Sequence, residues 1–119
     1  REFEFRCKQA GQLASKMRFL AAPWEAMLKD GGWLRHARHA NACARRLADR
    51  IQSVPGVTIR YPVQANAVFA DLPDAVHARL AARGWHYYRF IGNSARFMCS
   101  WGTLDEDVDR LAADIAGAV

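Results

Sequence analysis

The sequence has no CxxC pair, no low-complexity run and no internal repeat, and its longest apolar stretches fall short of a membrane span. Its three cysteines, Cys7, Cys43 and Cys99, are odd in number and far apart, which argues against a disulfide scaffold or a zinc site. Cys43 and Cys99 sit among apolar residues and read as buried thiols. His36 and His39 are three residues apart but have no third ligand nearby, so surface histidines are expected and no metal. No secretory leader pattern opens the chain, and a cytoplasmic location is the expectation.

What is present suits one ordinary domain: 119 residues, 51% of them hydrophobic, enough to bury a core. The net charge of +5 permits a nucleic-acid or acidic partner without requiring one. The cations are spread over several segments and form no polybasic tail.

Residues 1–10 mix charged and aromatic side chains and read as the exposed end of a helix, which Gly11 interrupts. From Gln12 to Lys29 the apolar residues Leu13, Met17, Leu20, Trp24, Met27 and Leu28 recur at spacings of three and four. This segment is apolar on several sides, which implies burial against more protein than the chain contains. Pro23 lies within it, and Asp30-Gly31-Gly32 stops it. The longest helix is expected from Trp33 to Ser53, with Ala37, Ala40, Ala44, Leu47, Ala48 and Ile51 as its core stripe. Its arginines fall largely elsewhere. With no aromatic interleaving, they read as a solvated face, including an i,i+4 pair between Arg45 and Asp49, in preference to a phosphate-binding surface.

Beyond the Val54-Pro55-Gly56 turn, strands are expected at Val57–Tyr61 and Asn66–Leu72. A helix from Pro73 to Arg83 follows, closed by Gly84. A hairpin of Trp85–Ile91 and Ala95–Trp101 comes next, and then a last helix opened by a capping box at Thr103–Glu106. The order β-β-α-β-β-α gives an α+β fold, a small mainly antiparallel sheet with helices on one face. Residues 1–30 read as connecting helices and residues 31–119 as the small domain.

One residue in this pattern is chemically conspicuous. Strand alternation puts Ala95, Phe97, Cys99 and Trp101 on one face and Arg96, Met98 and Ser100 on the other. A cation in so apolar a run needs an anion, because an unpaired buried charge is costly. Arginine also has the planar fork that grips a carboxylate through two parallel hydrogen bonds. A structural Asp or Glu, solvent at an edge strand, or an anionic ligand could each satisfy Arg96.

Four segments in order resemble low-specificity L-threonine aldolases: the run from Lys8 to Phe19, His39-Ala40-Asn41-Ala42, Gln64 to Phe69, and Phe90-Ile91-Gly92 with Ala95 to Trp101. The resemblance covers essentially the whole chain. It implies the C-terminal portion of a fold-type I pyridoxal phosphate enzyme, with connecting helices leading into the small domain. The implied activity is retro-aldol cleavage of β-hydroxy-α-amino acids, such as L-threonine and L-allo-threonine, to glycine and an aldehyde, in a homo-oligomer (dimer or tetramer). Arg96 matches the arginine that binds the substrate α-carboxylate. Lys8 matches a lysine near the cofactor phosphate, reaching across a subunit interface. Where one branch of the family has a glycine-rich segment followed by arginine, this chain has Ser15 and Lys16, so Lys16 or Arg18 is the substitute cation. The Schiff-base lysine and the groups that stack on and pair with the ring are expected upstream, so the chain alone should be inactive. The competing readings are a standalone nucleic-acid-binding module built on the arginine-rich helix, and a dimerisation module built on the apolar helix.

Overall fold

In the computed structural model, residues 2–117 are described. The chain divides into two compact units, Arg1–Leu34 and Arg35–Val119.

The first unit holds helices α1 (Phe3–Gln9) and α2 (Met17–Leu28). Glu4 in the first turn of α1 and Arg6 and Lys8 in its last turn suit the helix dipole. The chain leaves α1 through Gly11, which has a φ of +66°. The helix expected from Gln12 starts only at Met17. Lys16 is also left-handed, with a φ of 58°, and two such residues break the helical path between them. From there α2 continues through Pro23 and ends in a 3-10 turn, Lys29–Gly31, where Asp30 and Gly31 are both left-handed. No side chain of α1 or α2 is buried, and Phe19, Leu20, Trp24 and Leu28 are largely exposed.

The division between the units falls within helix α3 (Gly32–Ile51). The second unit continues with β1 (Thr58–Ile59), β2 (Ala67–Asp71), α4 (Asp74–Ala82), β3 (Tyr88–Arg89), β4 (Ala95–Met98) and α5 (Asp105–Ala116). The sheet is antiparallel with strand order β1-β2-β4-β3. This is the expected α+β arrangement. Alternation along β2 buries Val68 and Ala70 and leaves Ala67, Phe69 and Asp71 on the outer face. On β4, Ala95 and Phe97 are buried, as is Cys99 just beyond it, whereas Arg96 is half-buried and Met98 exposed. Against the inner face pack Leu47 and Ile51 of α3, Val76 and Leu80 of α4, and Val108, Leu111 and Ile115 of α5. One face of the sheet is therefore covered by helices and the other carries its polar chemistry.

Several local expectations are corrected. Ala37 is exposed, and Cys43 takes a place in the buried stripe of α3. The β3–β4 hairpin is shorter than the apolar run suggests, because a 3-10 turn at Ile91–Asn93 cuts in and Trp101 leaves the strand to lie 72% exposed. The capping box at the start of α5 does not form. Leu104 occupies the N-cap, and Thr103 Oγ1 accepts instead from the Ser100 N–H at 2.8 Å. Arg45 and Asp49 do not pair. The neighbouring arginines reach across to α5, Arg46 through two bonds of 2.7 Å to Asp109 and Arg50 through one of 2.9 Å to the same carboxylate.

Three carboxylates carry the acid sensitivity of this unit. Asp109 is held low chiefly by its hydrogen bond from Arg46, and Asp114 chiefly by the Trp85 Nε1–H, which donates at 2.8 Å, with Arg83 adding to it. Asp71 is lowered first by the Ser94 hydroxyl and then by Arg60. A carboxylate whose folded pKa is depressed contributes stability that is complete above its unfolded value of about 4 and is lost as pH falls through the folded value. Thermal stability should therefore be flat from about pH 7 to pH 5 and fall steeply below about pH 4. A melting temperature that holds to pH 3 would contradict these assignments.

Candidate functional site: the outer face of the sheet

Arg96 stands at the centre of the outer face, with Phe69 of β2 directly across on one side and Tyr88 of β3 on the other. Its guanidinium carbon lies 4.9 Å from the Tyr88 ring centroid and 6.0 Å from that of Phe90. Phe90 in turn meets Phe69 edge-on at 5.4 Å, and Phe69 meets Tyr61 at 5.6 Å. A planar cation among aromatic rings is attracted by their faces and loses freedom of movement there. Rings cannot accept its N–H groups as a carboxylate would, and Arg96 Nε is buried with no hydrogen-bond partner among the described residues.

Of the readings left open for Arg96, pairing with a structural carboxylate can be tested directly. No ion pair to Arg96 is formed among the described residues. Asp71, the acid on the same face of β2, gives one oxygen to Arg60 Nη1 at 2.9 Å and the other to the Ser94 hydroxyl. Arg96 is thus a held cation with unused donors, suited to a planar anion. A groove of about 480 Å³ that includes Arg96 runs along the part of β4 that β3 leaves unpaired and reaches round the sheet edge to the helix-covered side, where Leu47 of α3 and Asp107, Val108 and Leu111 of α5 line it.

The other residues singled out in the sequence lie in the first unit. Lys8 is in the last turn of α1, and Lys16 is the left-handed residue just before α2. Both are exposed, and neither forms an ion pair among the described residues. Arg18 lies over the ring of Phe19 at 5.0 Å. Asn66 acts at a strand end. Its side-chain amide donates to the Cys99 carbonyl at 2.7 Å while Cys99 N–H donates back to the Asn66 carbonyl at 2.8 Å, which extends the β2–β4 ladder.

Spacing alone did not reveal a cysteine–histidine–aspartate cluster between α3 and the start of α5. Cys43 Sγ lies 3.6 Å from His39 Nε2 and 3.7 Å from Asp105 Oδ1. Its arrangement is structural. His39 Nε2 donates to the Thr103 carbonyl at 2.7 Å, so that nitrogen cannot take the thiol proton. Burial, then the bond to Asp105, raises the Cys43 pKa, and burial pushes Cys99 up to about 11. Both thiols therefore stay protonated and unreactive near neutrality. His36 stacks on Trp101 at 5.8 Å, and His77 on Tyr87 at 5.8 Å with a 2.7 Å hydrogen bond between them. No group of three or more His, Cys, Asp or Glu among the described residues is placed to hold a metal, and no helix among them is long and apolar enough to cross a membrane.

Comparison with known proteins bears on the chain as a whole. No protein-family model matches the chain. In three dimensions it is similar to glycine decarboxylase (P-protein) of the glycine cleavage system in inhibitor-bound form, with a TM-score of 0.67 and 25% identity over 82% of this chain and 24% of that one. The fold is that of the C-terminal domain of a fold-type I pyridoxal phosphate enzyme. In sequence the chain is 59% identical over 115 residues to the low-specificity L-threonine aldolase of Pseudomonas aeruginosa, and 55% identical over 115 residues to that of Pseudomonas sp. strain NCIMB 10558. Each match takes in 96% of this chain but 33% of the relative's length, so the chain spans about a third of the low-specificity L-threonine aldolases it is similar to.

Proposed function

We propose that this chain is the C-terminal part of a pyridoxal phosphate-dependent threonine aldolase, and that Arg96 binds the α-carboxylate of a β-hydroxy amino acid such as L-threonine or L-allo-threonine. The observation that carries this reading is a guanidinium set against the rings of Tyr88 and Phe90, with a buried Nε and no carboxylate on it among the described residues. A cation left unpaired in a half-buried site loses solvation unless a ligand restores it.

In the proposed reaction the β-hydroxyl loses its proton, the Cα–Cβ bond breaks, an aldehyde departs, and Cα takes up a proton to give glycine. Pyridoxal phosphate, when bound, supplies the sink for the electron pair left on Cα. The part played by Arg96 is orientation. A two-point grip on the carboxylate fixes the substituents around Cα, so that the scissile bond can be held in the reactive alignment. The sheet supports this precisely because Arg96 has strand neighbours on both sides. Lys8 and Lys16 would add positive charge for the cofactor phosphate, across a subunit interface in a homo-oligomer. The apolar residues of α2 would be covered in that larger assembly.

On this reading residues 1–119 alone cleave nothing, because the lysine that carries the cofactor lies in the remaining part of the enzyme. Incubated with L-threonine and pyridoxal phosphate, the isolated chain should release no acetaldehyde above the cofactor blank. The full-length enzyme should release acetaldehyde and glycine in equal amounts. Acetaldehyde release by the isolated chain, or none by the full-length enzyme, would overturn the proposal.

A further inference from the structure

Asp71 is placed to defeat the site just described. Arg60 and Arg96 flank Phe69 from opposite sides. Arg60 N–H donates to the Phe69 carbonyl at 2.9 Å from the β1 side, and Arg96 is the register partner of Phe69 on the β4 side. Asp71 lies two residues further along β2 on the same outer face, so it is a diagonal neighbour of both arginines. Diagonal neighbours in a sheet sit about 7–8 Å apart, which a side chain as long as arginine spans easily. Asp71 could therefore serve either cation, and a bond to Arg96 would fill the fork meant for the substrate.

The structure shows how that competition is resolved. Oδ2 of Asp71 takes Arg60 Nη1 at 2.9 Å, and Oδ1 takes the hydroxyl of Ser94. Ser94 is buried and comes two residues before Arg96 in the chain, which puts a neutral donor on the oxygen facing the β4 side. Each carboxylate oxygen already accepts one bond, and among the described residues the cation bonded to Asp71 is Arg60, which follows β1, the strand furthest from Arg96. The geometry points to Arg60 and Ser94 as positioning residues that sequester Asp71 and so keep Arg96 free for a substrate carboxylate. This rests on the reading of Arg96 as the carboxylate anchor, and it assigns a role to three residues that never touch the substrate.

The test is a rescue experiment in the full-length enzyme, with the KM for L-threonine, kcat, and glycine affinity by calorimetry measured for each variant. Arg60→Met frees one oxygen of Asp71. It should raise KM and weaken glycine binding about two- to fivefold, the scale of one half-exposed ion pair, with kcat changed less than about twofold. Ser94→Ala should act in the same direction. Adding Asp71→Asn to either variant should return KM and glycine affinity to the parent values, because the competitor is then neutral. A merely structural role for the Arg60–Asp71 pair predicts the opposite, since removing both partners leaves the β1–β2 contact broken. Unchanged glycine affinity in both Arg60→Met and Ser94→Ala, or a loss that Asp71→Asn fails to reverse, would overturn the inference. Arg96→Lys, measured alongside, separates the two levels. If it leaves glycine affinity unchanged, the carboxylate reading itself fails; if it weakens glycine binding while the other variants behave as the parent, only the sequestration of Asp71 is wrong.

Discussion

Arg96→Ala in the full-length enzyme is expected to lower kcat/KM for L-threonine by about 10²–10³-fold while pyridoxal phosphate still binds. The magnitude follows from losing a desolvated, two-point charge pair, which costs about 2–5 kcal/mol when one partner is removed. The loss should divide between the two constants. KM rises because the carboxylate has lost its anchor, and kcat falls because an untethered carboxylate lets the substituents of Cα rotate away from the reactive alignment. The fold should survive. Arg96 is on the outer face, away from the packed helices, and makes no ion pair among the described residues that its removal would orphan. Steady-state rates together with the visible spectrum of the bound cofactor check both halves of this expectation.

The second large effect concerns stability. Leu80 of α4 is fully buried and belongs to the core that α4 and α5 share with the inner sheet face. Leu80→Ala removes buried methyl and methylene groups and leaves a cavity that the surrounding helices can only partly fill. It is expected to cost about 3 kcal/mol. Leu104, also apolar, is 58% exposed, and its replacement by Ala should cost less than about 0.5 kcal/mol. Urea midpoints at constant slope measure both. Equal losses would mean that the covered face of the sheet has been misassigned.

The contrast between those leucines shows what periodicity can and cannot reveal. Leu104 lies four residues before Val108 and by spacing continues the α5 stripe of Val108, Leu111 and Ile115, all three of which are buried. Leu104 is not, because the chain enters α5 through a turn in which Thr103 Oγ1 binds the Ser100 amide. That bond competes with the capping box, and nothing in the spacing of Thr103 and Glu106 shows which one wins. The outer face of β4 was legible because strand alternation is strict, and with it the isolation of Arg96. Its register partners were not. Whether Asp71 would meet Arg96, Arg60 or neither depends on strand order and on Ser94, contacts made across long loops. In the same way, the basic face of α3 looked solvated, but Arg46 and Arg50 converge on Asp109, more than fifty residues away. Local propensity is written along the chain, whereas the partner of a charge is set by topology.

Carboxylate recognition by Arg96 is tested most directly by removing the carboxylate from the ligand as well as the arginine from the protein. L-threonine and L-threoninol, in which a hydroxymethyl group replaces the carboxylate, would be titrated into the full-length enzyme and its Arg96→Ala variant, with the cofactor absorbance reporting binding. The parent is expected to prefer threonine strongly, Arg96→Ala to weaken threonine by about 10²-fold or more, and both proteins to bind threoninol alike. If Arg96→Ala weakens the two ligands equally, the guanidinium acts on something other than the carboxylate, and the proposed site is wrong.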